Sequence, residues 1–337
     1  MRPIIPHLPP HRELFPPGDP RYSLDKAGAF CHTAAVLDIC LLGTGGTLPL
    51  VNRWLTSLVV RYQGHAVLID CGEGTQIAAQ RAGVSLKPVD KLLLTHLHAD
   101  HISGLPGLLL TMGNMGKTEP LSIVGPEGTE RAVSALRTIA PNLPFEISVS
   151  ELTTEDELMY FRDVDIRAFR VVHGVPCYGY NFTLPRAGKF DVERAKAQNI
   201  PMPLWARLQK GETIEQEGLL YTPDMVLGPP RPGLKLTYCT DTRPCPAIVE
   251  AAEGSDLFIC EGMYGEDEML PKAKENRHML FSEAARMAAQ AHVKELWLTH
   301  YSPSLPNPKA CRDNARAIFP NTATPRDGWT KELGFRD

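Results

Sequence analysis

His96-Leu97-His98-Ala99-Asp100-His101 sets four candidate metal ligands within six residues, directly after the apolar run Lys91-Leu92-Leu93-Leu94-Thr95. The run reads as a buried strand. Nothing in strand or helix packing asks for three imidazoles and a carboxylate at its exit. Alternation puts His96 and His98 on one side of the chain, suited to one ion, and leaves Asp100 and His101 to turn toward a second. Imidazole nitrogens and carboxylate oxygens are the ligands of zinc and similar ions in sites that keep a position open. The segment therefore predicts a metal-dependent hydrolase.

Other strand-like runs end in the same kinds of side chain. Ile166 to Val172 is followed by His173, Leu234 to Cys239 leads through Thr240 to Asp241, and Leu296-Trp297-Leu298-Thr299 ends at His300. Taken singly, Asp241 before Thr242 suits an Asx-turn and His173 before Gly174 a turn histidine. Their shared place after apolar runs marks them as the ligands a second ion needs, since one loop cannot supply them all. Two cations roughly 3.5–4 Å apart can activate a water and stabilise both oxygens of an in-line displacement. A carboxylate bridging them suits Asp241.

Around these runs, Val36 to Leu42 reads as the first strand, with Ser57–Tyr62 and His65–Asp70 forming a hairpin about Gln63-Gly64. Leu121–Val124 and Leu257–Cys260 read as further strands. Gln76 to Ala82, Gly128 to Ile139 and Ser282 to His292 fit helices. The alternation favours an α/β protein with sheets packed between helical layers. Gly43-Thr44-Gly45-Gly46 lacks both the third glycine of a dinucleotide fingerprint and the ending of a P-loop, so no nucleotide site is specified. Residues 1–35 form a proline-rich N-terminal extension and residues 36–337 the main domain. Within the latter, Pro185, Pro201, Pro203, Pro223, Pro229, Pro230 and Pro232 interrupt residues 184–232, which read as an inserted arm.

A chain of 337 residues, 43% hydrophobic, can bury a large core. The net charge of −4 advertises no global field for nucleic acid, so a polyanion site has to be a local patch. The eight cysteines are scattered, with no Cys-x-x-Cys pair, and read as reduced thiols. No run approaches the roughly 20 apolar residues of a membrane span. A cytoplasmic protein with no membrane partner is the expectation.

The motifs resemble those of metallo-β-lactamase-fold hydrolases, whose hallmark is the His-x-His-x-Asp-His loop. The resemblance implies an αβ/βα four-layer sandwich and two zinc ions, with manganese or iron as alternatives. It also implies that His96, His98 and His173 hold one ion, that Asp100, His101 and His300 hold the other, and that Asp241 bridges them. Finer features resemble one branch, the ribonuclease Z family, over about residues 37–320. They are Leu42-Gly43-Thr44-Gly45-Gly46, Asp70-Cys71-Gly72-Glu73-Gly74-Thr75-Gln76, Val172-His173-Gly174, Asp241-Thr242-Arg243, Glu261, Arg277-His278-Met279 and Leu298-Thr299-His300.

That branch implies removal of the 3′ trailer from precursor tRNA, a homodimer, and an arm that grips tRNA where residues 184–232 stand. It implies that His278, with Glu261 beside it, helps protonate the leaving 3′ oxygen. Asp100 is a further candidate, as proton acceptor for the attacking water. Within 184–212 six basic residues stand against three acidic ones, a local patch of the kind phosphate contact requires. Arg186, Lys189, Arg207 and Lys210 are its candidate substrate residues, with Arg53 from the first loop. Where the family usually reads Pro-x-Lys-x-Arg-Asn, that loop reads Pro49-Leu50-Val51-Asn52-Arg53-Trp54. In the arm, Met202-Pro203 replaces the usual Gly-Pro. Two other readings of the same residues are a small-molecule hydrolase on this metal scaffold and a non-catalytic nucleic-acid-binding module.

Overall fold

The apolar strands β1 (Val36–Gly43), β2 (Ser57–Tyr62) and β3 (His65–Ile69), buried along most of their length, form an antiparallel meander, with Leu58 opposite Ile69 and Tyr62 opposite His65. Gln63 and Gly64 make the turn, both with positive φ (50° and 79°), as a two-residue hairpin requires. The computed structural model describes residues 36–335. The expected extension over residues 1–35 therefore lies outside the described residues. The following strands are β4 (Val89–Leu93), β5 (Leu121–Pro126), β6 (Ile147–Leu152), β7 (Asp156–Phe161), β8 (Val164–Val171), β9 (Cys177–Arg186), β10 (Ile214–Gln216), β11 (Leu219–Tyr221), β12 (Arg231–Cys239), β13 (Leu257–Glu261), β14 (Leu296–Thr299), β15 (Thr322–Ala323) and β16 (Trp329–Gly334).

The strands make two seven-stranded sheets, ordered β16-β1-β2-β3-β4-β5-β6 and β15-β14-β13-β12-β9-β8-β7, with β10 and β11 as a separate hairpin. Each sheet is half meander and half crossover. In the first, β3, β4, β5 and β6 run parallel; in the second, β12 to β15 do. Side chains from both sheets, among them Leu37, Leu58, Val67, Ile166, Tyr180, Leu236 and Trp297, interleave in a central core.

The helices are α1 (Thr75–Arg81), α2 (Ala99–Ile102), α3 (Leu105–Asn114), α4 (Thr129–Arg137), α5 (Val192–Ala197), α6 (Met202–Gln209), α7 (Pro246–Ala252), α8 (Leu270–Asn276), α9 (Phe281–Gln290) and α10 (Arg312–Arg316). Helices α1, α3 and α4 cover the outer face of the first sheet through Ala78, Leu105, Leu108, Leu109, Met112 and Val133. Ile248, Ala284, Ala288 and Ala315 of α7, α9 and α10 cover the second. The result is the expected four-layer αβ/βα sandwich. Among the described residues no helix is long and apolar enough to cross a membrane, and Cys40, Cys71, Cys177, Cys239, Cys245, Cys260 and Cys311 are free thiols.

The segment expected as an arm narrows at both ends, because β9 runs to Arg186 and β12 begins at Arg231. Its prolines start structure as well as interrupting it. Pro203 sits in the first turn of α6 and Pro223 opens a 3-10 turn, positions where a missing N–H costs nothing. Ala195, Ile200, Leu204, Leu208, Ile214 and Val226 bury a small core of the arm's own. The Met202-Pro203 pair thus begins a helix, with Met202 itself exposed.

Candidate metal centre

Ligand-competent side chains collect at one end of the sandwich because strands of both sheets end there. β3 delivers Asp70, β4 delivers His96 through Leu94 and Thr95, β8 delivers His173, β12 delivers Asp241 and β14 delivers His300. Open α/β sheets bind ligands at the carboxyl ends of their strands for this reason. Three of the five, Asp70 (φ 59°), Asp241 (φ 43°) and His300 (φ 56°), take left-handed backbone conformations. That region is sparsely used by residues other than glycine and costs on the order of 1–3 kcal/mol each, held only where the surroundings fix it. The turn aims each side chain back over the strand ends.

Donor atoms fall into two sets that share Asp241. His96, His98, His173 and Asp241 bring one atom each within 4.8 Å of one another, and so do Asp100, His101, Asp241 and His300. In the first set His96 Nε2 is 3.0 Å from His98 Nδ1, and His173 Nε2 is 3.3 Å from the same atom. In the second, Asp241 Oδ1 lies 3.2 Å from His101 Nε2 and 3.0 Å from His300 Nε2, while Asp100 Oδ2 is 3.5 Å from both imidazoles. His96 and His98 thus fall in the first set, Asp100 and His101 in the second.

Supporting contacts orient these groups. Asp70, fully buried, meets His101 Nδ1 at 2.8 Å and accepts from both the backbone N–H and the hydroxyl of Thr95, each at 2.8 Å. Thr47 N–H donates to Asp100 at 2.7 Å. His173 Nδ1 lies 3.3 Å from the Arg277 carbonyl, and Arg277 donates back to the His173 carbonyl at 2.7 Å. Gly46 lies so close to His300 that a Cβ would stand 2.5 Å from its ring. Such contacts set which ring nitrogen faces the centre.

Electrostatics fit a cation there. Burial favours a neutral imidazole at His101, but Asp241 and Asp70 outweigh it and raise its pKa well above the usual value. Burial of His96, reinforced by the charge on His101, pushes its pKa far down. Asp241 loses solvation yet is held ionised by His300, His101 and His96. Asp100 is held below the usual carboxylate range against its burial by His101 and His300. Buried carboxylates thus favour positive charge at the centre, which divalent ions would supply to both sets. The residues fit a metal in donor type, convergence and charge.

His278 and Glu261 adjoin the second set. His278 Nδ1 is 3.2 Å from Glu261 Oε2, and the Glu261 carboxylate also accepts from the backbone N–H groups of Thr242 and, at 3.1 Å, Met279. Burial disfavours the imidazolium of His278, but Glu261 prevails and pushes its pKa up to about 9. Arg243 fixes the segment by donating to the His278 carbonyl and forming a forked pair with Glu283.

A metallo-β-lactamase superfamily model matches residues 56–261. The ribonuclease Z of Agathobacter rectalis is 60% identical over 300 residues, covering 89% of this chain and 99% of that protein. The chain belongs to the ribonuclease Z family. The ribonuclease Z of Lachnospira eligens is 57% identical over 302 residues, 90% of this chain and 99% of its own length. The crystal structure of the short form of human tRNase Z shares the fold, with a TM-score of 0.64 at 23% identity, covering 87% of this chain and 98% of that one.

A cleft of about 450 Å³ opens onto the centre. His98, Asp100, His173, Asp241 and His278 line it, as do Tyr264, Lys272 and Asn276, which sequence reading did not single out. The basic candidates do not line it. Arg53 donates to the carbonyls of Ser302 and Pro306 at 3.3 and 2.9 Å and lies over the Tyr301 ring, so it ties the first loop to the segment after His300. In the arm, Lys189 and Lys210 are exposed, Arg207 pairs with Glu212 at 2.8 Å, and Arg186 lies over the Phe335 ring. Asp70 and Thr95 were also missed. The signal for Asp70 was its place at the end of a predicted strand, the position shared by His173, Asp241 and His300.

Proposed function

We propose that this chain is a two-metal phosphodiesterase that removes the 3′ trailer from precursor tRNA. The observation that carries this reading is the pair of four-donor sets sharing one carboxylate, in a chain 60% identical to a ribonuclease Z. His96, His98 and His173 would hold one ion, Asp100, His101 and His300 the other, with Asp241 between them; zinc suits the donors, and manganese or iron would serve. When bound, such ions act as Lewis acids toward the phosphate and make a hydroxide-like nucleophile available at neutral pH.

The protein's own groups do the rest. His278, with Nδ1 turned to Glu261, has Nε2 left to donate a proton to the leaving 3′ oxygen, and Glu261 keeps the ring charged and oriented. Asp100, held ionised and fixed by Thr47, orients its set and is a secondary candidate to accept a proton from the attacking water. The exposed lysines of the arm, Lys189 and Lys210, supply phosphate contacts away from the cleft. We read the functional unit as a cytoplasmic homodimer, as the resemblance to the ribonuclease Z family implies.

Incubation with a trailer-bearing precursor tRNA and zinc or manganese tests the proposal. A single cut beside the discriminator nucleotide is expected. Failure to cut, by protein that turns over bis(p-nitrophenyl) phosphate, would leave a phosphodiesterase of another substrate class.

A further inference from the structure

A nuclease cleft must hold more than the phosphate it cuts, since each neighbouring nucleotide brings another negative charge. This cleft is rich in acids: Asp100 and Asp241 line it, with Glu261 fully buried behind His278. Nearby cations are committed elsewhere. Arg53 is bound to the Ser302 and Pro306 carbonyls, Arg277 to the His173 carbonyl, and Arg243 to Glu283. The first loop, which reaches the cleft at Thr47, otherwise exposes uncharged side chains, with Leu48 58% and Val51 86% exposed beside Asn52. Among the described residues, Lys272 is the one lysine or arginine that lines the cleft.

Lys272 is also held in place. It and Asn276 are four residues apart on α8, so both face one way, over Tyr264. Asn276 donates its amide to the Tyr264 hydroxyl at 2.9 Å, and the Lys272 ammonium lies 5.7 Å from the centre of the Tyr264 ring. Tyr264 is buried, and its backbone is tied to Met279 and Phe281 on either side of Leu280. The same α8 leads directly into His278. One rigid unit therefore carries both the proton donor for the leaving oxygen and a restrained, exposed ammonium.

We propose that Lys272 binds a phosphate flanking the scissile one, and that Tyr264 and Asn276 position it. The inference rests on the nuclease reading above. It makes Lys272 a determinant of RNA binding through charge, distinct from the arm's contacts because it acts beside the scissile bond.

The test compares wild type, Lys272→Ala and Lys272→Arg on precursor tRNA, and then on the same RNA carrying one neutral methylphosphonate linkage at each position flanking the cut in turn. Lys272→Ala should raise KM about tenfold with kcat little changed, and lower the slope of log(kcat/KM) against log[salt] by about one. Lys272→Arg should restore most of the loss. At one flanking position the neutral linkage should raise the wild-type KM to that of Lys272→Ala, so that the two proteins converge. An unchanged KM, a fall confined to kcat, or a difference that persists with every neutral linkage would overturn the assignment while leaving the nuclease reading intact. Wild type that cuts no RNA, yet turns over bis(p-nitrophenyl) phosphate, would remove both.

Discussion

At the strand ends, polar side chains are buried and held by several partners each. In the arm, charged side chains are exposed, and several are answered by a neighbour a few residues away. Asp70 alone takes two hydrogen bonds from Thr95 and one contact from His101 at zero exposure. Lys196 meets Glu193 and Arg207 meets Glu212 at the surface, where such pairs add little stability. The centre rests on two large sheets and their common core, the arm on six buried residues of its own. Chemistry that tolerates little displacement sits on the rigid part. Contact with a long polyanion, which tolerates adjustment, falls to the thin part.

The contrast breaks most sharply at the shared carboxylate. Asp241→Ala leaves both donor sets incomplete, and kcat on precursor tRNA should fall by at least on the order of 10⁴-fold, with metal analysis showing less than the wild-type ion content. His278→Ala should keep the metal and lose about 10²-fold or more in kcat with KM little altered, the range expected of proton transfer. A large rise in KM instead would make His278 a binding group. Asp70→Asn removes a support and leaves every donor in place, so metal affinity, measured by competition with a chelator, should fall about 10- to 100-fold. In the arm, Leu208→Ala should loosen the local core by about 2–5 kcal/mol. Hydrogen exchange should then speed up within residues 190–227 and little elsewhere, and KM for precursor tRNA should rise severalfold. If the whole chain exchanged faster, the arm would not be a separate cooperative unit.

What sequence reading could see followed from locality. His96 to His101 is legible because six adjacent residues hold four donors, and His173, Asp241 and His300 because each follows an apolar run. The sandwich was legible from the alternation of those runs with helical patterns. Less visible were elements whose local signals conflict. Helix α3 carries Pro106 and Gly107 in its first turn, residues that elsewhere interrupt helices, although proline is well suited to that position. Strand β7, Asp-Glu-Leu-Met-Tyr-Phe, is an edge strand whose outward residues Leu158 and Tyr160 are exposed, so the usual correspondence of apolar with buried is lost. The wall formed by Tyr264, Lys272 and Asn276 was invisible for another reason. Its short helix, Leu270–Asn276, is mostly polar with a proline at its start, and only packing against Tyr264 gives the spacing of Lys272 and Asn276 a meaning.

Asp70, Asp241 and His300 hold left-handed backbone where glycine or asparagine would rest more easily. Across many generations of random change, a glycine at Asp241 or His300 would ease a corner and remove a donor in the same step. Selection has therefore to keep the less comfortable residue at these sites. A lineage freed from the need to cut RNA should drift first at these corners, long before its hydrophobic layers alter.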